Sequence, residues 1–218
     1  MASWYEERIF NAAMDVALSS ARIAALRAEV LREARGEVVE VGLGTGLNLP
    51  HYPSAVRRVS AVAREVELDA RALARAHERC IELVHVRGDA QALPLDDHSV
   101  DTLVCTFVLC SVEDLDAAAR EFARVLRPDG ALAVLEHVVS PRKLERFVQR
   151  TLTPPHRIWA CGCRLDRDIA ASLERAGFDR STLPVARSNA LPFPAAELLC
   201  SARARRRAAH FSASTSPA

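Results

Sequence analysis

Apolar and polar positions along the chain form alternating blocks that favour strands and helices in turn. Five short runs rich in Val, Leu and Ile have the length and composition of buried strands, at 38–41, 58–62, 81–86, 100–109 and 131–138. Segments with apolar residues at helical spacing separate them and predict helices at 67–79, 112–126 and 169–176, and the last strands fall near 181–187 and 196–202. This alternation predicts an α/β fold, a doubly wound and mostly parallel Rossmann-like sheet in one domain over 1–207.

Two segments outside this alternation are predicted to cover the sheet or a ligand. Residues 4–34 have apolar side chains near a 3.6-residue period, which predicts a helical cap within 1–35. The cap either only covers the sheet or forms a lid, with Trp4 and Tyr5 facing a ligand. The segment 140–168 combines basic, aromatic and cysteine residues in a composition typical of a substrate cover, with Trp159 as a candidate contact.

The end of the chain is polar. The basic run RARRR at 203–207 leads into a Ser/Ala/Pro tail, and 208–218 is predicted to be disordered. The basic run is either solvated or a contact for an anionic membrane surface.

Length and charge exclude several classes of protein. The 218 residues suffice for one sizeable core, and 29 basic against 28 acidic residues give a net charge of +1, so no nucleic-acid partner is predicted. No apolar stretch approaches the roughly 18 to 20 residues of a membrane span. The first ten residues carry charges where a signal peptide needs an apolar core, so we expect a cytoplasmic protein with reduced cysteines.

The six cysteines do not follow a familiar metal-binding pattern. No CxxC pair occurs, and Cys161 and Cys163 are too close together for an ordinary zinc knuckle. The spacing therefore predicts no metal site.

The segment EVVEVGLGTGLN, residues 37–48, combines a buried strand with three glycines. Glycine suits a sharp turn that a ligand must approach closely, although such a loop can also be only a tight turn. The spacing GxGxG differs from the dinucleotide fingerprint GxGxxG, because Leu47 stands where the third glycine would be needed. Glu40 places a carboxylate beside the loop, which suits an ammonium group better than a phosphate. Together these features favour a cationic amino-acid ligand such as that of S-adenosylmethionine.

The ends of the second and third strands carry candidate nucleoside contacts. A nucleoside-binding sheet usually has an acid after its second strand to bind both ribose hydroxyls, whereas this chain has Ala63 there. Glu65 is either a substitute for that acid or an exposed residue at a helix start. Asp89 follows the third strand and can accept a hydrogen bond from an adenine amino group while the Ala90 N–H meets a ring nitrogen. The alternative role for Asp89 is a cap or turn residue.

Several motifs in order resemble class I S-adenosylmethionine-dependent methyltransferases, over about residues 36–180. They are EVGLGTG, GDAQALPLDDHSVD, VDTLVCTFVLCSV, RVLRPDG and LAVLEHV. The segments CTFVLCSV, EHV, HRIWACGCRLDRD and LERAGF are most similar to the methyltransferase-like group that includes the animal membrane thiol S-methyltransferases. Bacterial quinone C-methyltransferases and phospholipid N-methyltransferases share the earlier motifs.

This resemblance implies a seven-stranded sheet with an antiparallel last strand and S-adenosylmethionine as the methyl donor. The residues expected to bind the donor are Glu40, Gly42, Gly44, Gly46, Asn48, Glu65, Asp89, Ala90 and Thr106. The chain departs from the family pattern at Ala63, where an acid is usual.

Methyl transfer from a sulfonium is an in-line displacement, so positioning of the acceptor matters most and can be worth roughly 7 to 11 kcal/mol. We expect a small-molecule acceptor, preferably a thiol, since a free thiol is already several per cent thiolate at neutral pH. His137 and His156 are the candidate catalytic residues, with a structural role as the alternative for each, and Cys110 either lines the pocket or packs in the core. The alternatives are a phospholipid amine or quinone-type acceptor, or a donor-binding module without turnover.

Overall fold

The computed structural model describes residues 11–64, 67–192 and 194–206, with only the backbone of residue 202. Its helices are α1 Asn11–Ala17, α2 Ala21–Leu31, α3 Ala70–Glu78, α4 Leu115–Val125, α5 Lys143–Trp159 and α6 Ile169–Arg175. Its strands are β1 Val38–Val41, β2 Arg58–Ala63, β3 Glu82–Arg87, β4 Val100–Thr106, β5 Leu126–His137, β6 Val185–Arg187 and β7 Glu197–Ala204. Short 3-10 turns occupy Leu49–His51 and Arg180–Thr182.

The strands form one seven-stranded sheet in the order β3-β2-β1-β4-β5-β7-β6. Strands β1 to β5 pair in parallel, and β7 is antiparallel to both of its neighbours, β5 and β6. The chain reverses its winding direction between β1 and β4, which is where open α/β sheets bind ligands at the carboxyl ends of their strands. The predicted fold, with seven strands and an antiparallel last strand, is confirmed.

Helices pack on both faces of the sheet and bury two apolar clusters. One cluster joins Val39 and Leu103 to α4 and α6, and the other joins Val38 and Val104 to α2 and α3. Because side chains alternate between the two faces of a strand, Glu40 lies on the same face as Val38, toward α2. The side of the sheet that Glu40 faces is therefore fixed by strand periodicity.

Two predicted elements differ from the structure for local reasons. The continuous helix predicted over 4–34 is interrupted within the described residues, because the Ser20 side chain accepts a hydrogen bond from Ile23 N–H and starts α2 as a new helix. Strand β4 ends at Thr106 rather than at residue 109, because Phe107 adopts a left-handed backbone with φ +56°.

Two later segments also differ. Strand β5 begins at Leu126, five residues before the predicted start, and its pairing with β4 shifts register beside Pro128 and Gly130. The basic run that was predicted to precede a solvated tail lies partly in the sheet, since Arg203 belongs to β7. The predicted disorder of 208–218 lies outside the described residues. Among the described helices, none is long and apolar enough to cross a membrane.

Candidate active site

A cavity of about 390 Å³ opens at the carboxyl ends of the central strands. The glycine loop after β1, the ends of β4 and β5, and helix α1 form its walls, and the end of α5 with the loop after it closes one side. Residues 140–168 were predicted to contribute a cover, and His156, Ala160, Cys163 and Leu165 from that segment do line the cavity.

The three glycines of the loop have different surroundings although all have positive φ. A Cβ on Gly44 would meet no atom within 4 Å, so this residue leaves its backbone open to the cavity that it lines. A Cβ on Gly42 would lie 2.4 Å from Val108, and one on Gly46 would lie 2.9 Å from the Ala72 backbone. Gly46 is therefore required for packing against α3, and Gly44 is the glycine that a ligand can approach.

Glu40 is the centre of a buried polar network beside the glycine loop. Its carboxylate is 2% exposed and accepts hydrogen bonds from Asn48 Nδ2 at 2.9 Å and Tyr52 OH at 2.7 Å. Burial raises the pKa of Glu40 to about 7, and the two hydrogen bonds together with the nearby Arg27 charge offset only part of that rise. The carboxyl is thus poised to ionise near neutral pH when a cation approaches it.

Arg27 on α2 was not predicted from the sequence as a site residue. Its guanidinium is buried, donates to Asn48 Oδ1 at 2.6 Å and Thr106 Oγ1 at 2.9 Å, and lies 5.5 Å from the centre of the Phe107 ring. Its Nε is buried with no hydrogen-bond partner among the described atoms. The signal in the sequence was a charged residue on the buried face of a helix, four residues after Ile23 and three before Val30.

Helix α1 is attached to the glycine loop by an ion pair. Asp15 accepts hydrogen bonds from Thr45 Oγ1 at 2.5 Å and Arg75 at 2.9 Å, and Arg75 also donates to the Thr45 carbonyl at 2.6 Å. The hydrogen bond from Arg75 lowers the pKa of Asp15, so the carboxylate is ionised at neutral pH. Since α1 has no fully buried residue, this polar contact is a main attachment of the helix to the loop.

The other end of the cavity contains sulfur and imidazole groups. His137 Nε2 lies 3.2 Å from Cys163 Sγ, and the ligand atoms of Cys110, His137 and Cys163 all lie within 4.8 Å of one another. The Cys163 thiol beside it and burial both raise the pKa of the Cys110 thiol well above its usual range. His156 Nδ1 lies 3.2 Å from the Cys163 carbonyl, so both predicted catalytic histidines and Cys110 meet here.

Glu136 shapes the loop that carries Cys110. It is fully buried, and its Oε1 accepts hydrogen bonds from the N–H groups of Val108 at 2.7 Å and Leu109 at 2.8 Å. These bonds hold the loop after Phe107 against the end of β5, which carries Glu136. A glutamate near the end of an apolar run gives no sign of this role in the sequence.

Some predicted site residues do not line the cavity. Asp89 caps its own loop by accepting hydrogen bonds from the backbone and side chain of Gln91, and Ala90 is buried in the core. Trp159 lies at the end of α5, is 71% exposed and is not among the residues that line the cavity. The predicted contacts of Trp4, Tyr5 and Glu65 lie outside the described residues.

Comparison with known proteins identifies relatives among the methyltransferases. A methyltransferase domain family matches residues 39–134. Human thiol S-methyltransferase TMT1A is 35% identical over 150 residues, covering 67% of this chain and 61% of the relative. Phosphatidylethanolamine N-methyltransferase of Cereibacter sphaeroides is 36% identical over 119 residues, covering 54% of this chain and 58% of the relative. The chain thus spans about three fifths of the length of these relatives.

Solved structures share the fold. The crystal structure of an S-adenosylmethionine-dependent methyltransferase from Mesorhizobium loti has a TM-score of 0.61 and 22% identity, with coverage of 86% of this chain and 98% of that one. Its identity is too low to indicate more than the architecture. Because a methyltransferase domain family matches residues 39–134 and human thiol S-methyltransferase TMT1A is 35% identical over 67% of this chain, the chain belongs to the S-adenosylmethionine-dependent methyltransferases.

Proposed function

We propose that this protein transfers a methyl group from S-adenosylmethionine to a small thiol. The observation that supports this most directly is a single cavity with two chemically different ends. The glycine loop, Glu40 and Arg27 lie at the end near β1, which we call the donor end. Cys110, His137 and His156 lie at the end near β5, two strands away in the sheet, which we call the acceptor end. One cavity can therefore hold a charged donor and a separate acceptor side by side.

The donor end fits the charged groups of S-adenosylmethionine. Its methionyl part carries an ammonium group and a carboxylate, and the buried pair Glu40 and Arg27 offers the opposite charges. Arg27 Nε lacks a partner among the described atoms, so the network still has a donor to offer. Gly44 leaves room for a ligand against the backbone. When bound, the donor supplies a methyl group on a sulfonium, which a nucleophile removes by in-line displacement.

The chain's own residues bind the donor and orient the acceptor, and little proton transfer is required of them. Burial of Glu40 and Arg27 strengthens their interaction with a bound charge, because the surrounding dielectric is low. Helix α1, attached through Asp15, covers the donor end and limits the access of water. At the other end His137 and His156 offer imidazole groups that can hydrogen-bond an acceptor.

The charges along the cavity favour a thiol over an amine acceptor. The carboxylates among the described lining residues are Asp15 and Glu40, and both lie at the glycine-loop end, where Asp15 is paired with Arg75. An ammonium acceptor at the sulfur and imidazole end would therefore meet no carboxylate among the described lining residues, since the buried Glu136 does not line the cavity. A thiol needs none, since a few per cent of a free thiol is ionised at neutral pH. The similarity to human thiol S-methyltransferase TMT1A supports the same choice.

An acceptor screen that follows formation of S-adenosylhomocysteine tests this function. The panel contains small apolar thiols, phosphatidylethanolamine in detergent micelles and a reduced quinone. We expect turnover of the thiols and none of the other two. Turnover of the amine or the quinone alone would overturn the thiol assignment, and donor binding without any turnover would indicate a binding module.

His156→Gln provides a matched variant for the screen, with His77→Gln on the exposed face of α3 as its control. Loss of the imidazole at the acceptor end should lower kcat/KM for a thiol by roughly tenfold. Donor affinity, measured by calorimetry, should not change. An equal loss in His77→Gln would show that the effect is not local to the cavity.

A further inference from the structure

Three potential metal ligands from distant parts of the chain meet at the acceptor end of the cavity. We propose that Cys110, His137 and Cys163 bind one zinc ion, with a fourth coordination position that opens into the cavity. Cys110 follows β4, His137 ends β5 and Cys163 lies in the loop after α5. Because no two of them are close in sequence, cysteine spacing could not indicate the site.

The distances suit a small tetrahedral ion. Zinc binds thiolate sulfur at about 2.3 Å and imidazole nitrogen at about 2.0 to 2.1 Å, which separates the ligand atoms of one ion by roughly 3.5 to 3.8 Å. Here the three ligand atoms lie within 4.8 Å of one another, and the His137 Nε2 to Cys163 Sγ distance is 3.2 Å. Small side-chain rotations are enough to place them around one centre.

The backbone is arranged to bring the two sulfur atoms together. Cys161 and Gly162 both adopt positive φ and turn the chain after α5 back toward β4. The Arg164 N–H then donates to the Cys110 carbonyl at 2.9 Å, which joins the two cysteine-bearing loops directly. On the opposite side, the buried Glu136 carboxylate holds the loop that leads to Cys110.

His137 lacks the surroundings of an ordinary core histidine. Cys110 is 4% and His137 6% exposed, and His137 Nδ1 is buried with no hydrogen-bond partner among the described atoms. An unpaired buried imidazole nitrogen is costly, so a purely structural role for this histidine is poorly satisfied. Two thiolates and a neutral imidazole would balance the charge of a divalent zinc ion, with the thiol protons released to solvent on binding.

Three protein ligands and an open position are typical of zinc sites that act on a substrate, whereas structural sites have four protein ligands. Among the described residues the cluster contains three such ligands, and all three line the cavity. The remaining position would take a water molecule or, in a step that rests on the proposed function, the thiolate of the acceptor. A bound divalent ion favours the thiolate over the thiol, which would supply the nucleophile at neutral pH.

Cobalt(II) substitution tests the site through an optical signal that does not depend on activity. The full chain, purified with reductant and stripped of metal, is titrated with cobalt(II) and then with zinc(II). We expect one ion per chain, an absorption band from thiolate-to-cobalt charge transfer, and displacement of that band by zinc. Cys110→Ser and Cys163→Ser should each lose at least tenfold in zinc affinity, whereas Cys80→Ser and Cys200→Ser should bind as the parent chain does.

A second measurement covers the case in which a cysteine variant folds poorly. In the parent chain, bound zinc should slow alkylation of Cys110 and Cys163, as located by mass spectrometry, and leave the exposed Cys80 unaffected. No thiolate band, no protection, or a disulfide between Cys110 and Cys163 that persists in the metal-stripped protein in the presence of reductant would overturn the site.

Coordination of the acceptor thiol to the bound ion is tested separately. Addition of a small thiol to the cobalt protein should shift the absorption spectrum if the thiol enters the fourth position. A spectrum that does not change with saturating thiol would overturn that part while the three-ligand site stands. Thiol turnover in the absence of metal would separate the site from the proposed function.

Discussion

Glu40 illustrates how burial moves the ionisation of a common side chain to neutral pH, where the proposed donor would bind. Its empty-site pKa of about 7 means that half of the carboxyl groups are protonated at that pH. The donor's ammonium group needs the ionised form, so binding must expel the proton. The charged or polar groups that face Glu40 are Arg27 from α2 and Asn48 and Tyr52 from the loop after β1.

Donor affinity should therefore fall as pH is lowered through about 7. Because the unbound carboxyl holds a proton below its pKa, the apparent dissociation constant should be roughly five to ten times larger at about pH 6 than at about pH 7.5. Calorimetry in this range, below the ionisation of the donor's own ammonium group, measures the change. Glu40→Gln should bind weakly with a flat pH profile, and a slope retained in that variant would assign the titration to another group.

Gly44 gives a prediction about space rather than charge. Its φ of +54° strains any other residue by roughly 1 to 2 kcal/mol, whatever the size of the side chain. Gly44→Ala and Gly44→Leu should thus be destabilised by similar amounts, while only leucine fills much of the adjoining cavity. We expect donor affinity to fall at least tenfold further in the leucine variant than in the alanine variant, measured by calorimetry alongside thermal unfolding. Equal affinities in the two variants would mean that the loop does not contact the donor.

Helix α1 depends on one polar cluster for its position. Asp15 joins it to Thr45 and Arg75, and no residue of the helix is buried. Asp15→Asn should speed amide hydrogen exchange over 11–17 and weaken donor binding severalfold, because an amide replaces the charged partner of Arg75. Asp69→Asn, which removes a comparable pair with Arg71 at the start of α3, is the control. Exchange over 11–17 that does not differ between the two variants would contradict this role of the ion pair.

How well each element could be predicted from the sequence depends on whether its own residues or its contacts with distant segments define it. Strands β1 to β5 were predicted because buried parallel strands have long β-branched runs, and their order follows from the fold class. The segment 140–168 was predicted only as a cover from its composition, whereas its first part is α5, one 17-residue helix that contains Pro154 and Pro155. Its buried Gln149 binds the backbone of Ser140 and Val138, which are tertiary contacts that no local pattern records.

The site was predictable where its residues are local and not where they are distant. Glu40 and Gly44 both line the cavity and fall within one motif, so their position in it could be predicted from five residues of sequence. Arg27 and the meeting of Cys110 with Cys163 depend on how remote segments cross over the sheet, which no spacing records. Asp89 shows what position after a strand leaves open: its Oδ1 accepts hydrogen bonds from Gln91, as in the predicted turn role, and its contact with adenine stays a prediction.

Binding at the donor end should stabilise the whole fold, since the cavity joins α1, the central strands and the loop after α5. A ligand at about 100 times its dissociation constant adds about 2.7 kcal/mol, which corresponds to roughly 5 to 10 °C in Tm for a chain of this size. S-adenosylhomocysteine, which retains the ammonium and carboxylate groups, should produce this shift in differential scanning calorimetry. A shift absent at saturating ligand would contradict donor binding in this cavity.

In the same calorimetric experiment, the Glu40→Gln variant distinguishes an effect on ligand binding from an effect on the stability of the empty fold. Because the folded-state pKa of Glu40 lies above its ordinary value of 4.5, the folded protein holds a proton that the unfolded chain releases between these pH values. The carboxyl therefore costs the empty protein stability as pH rises from 4.5 to about 7, and a neutral amide removes that cost. At neutral pH the empty variant should unfold at the same temperature as the parent chain or higher, yet gain little from S-adenosylhomocysteine. A variant that is less stable when empty would show that Glu40 serves the fold rather than the ligand.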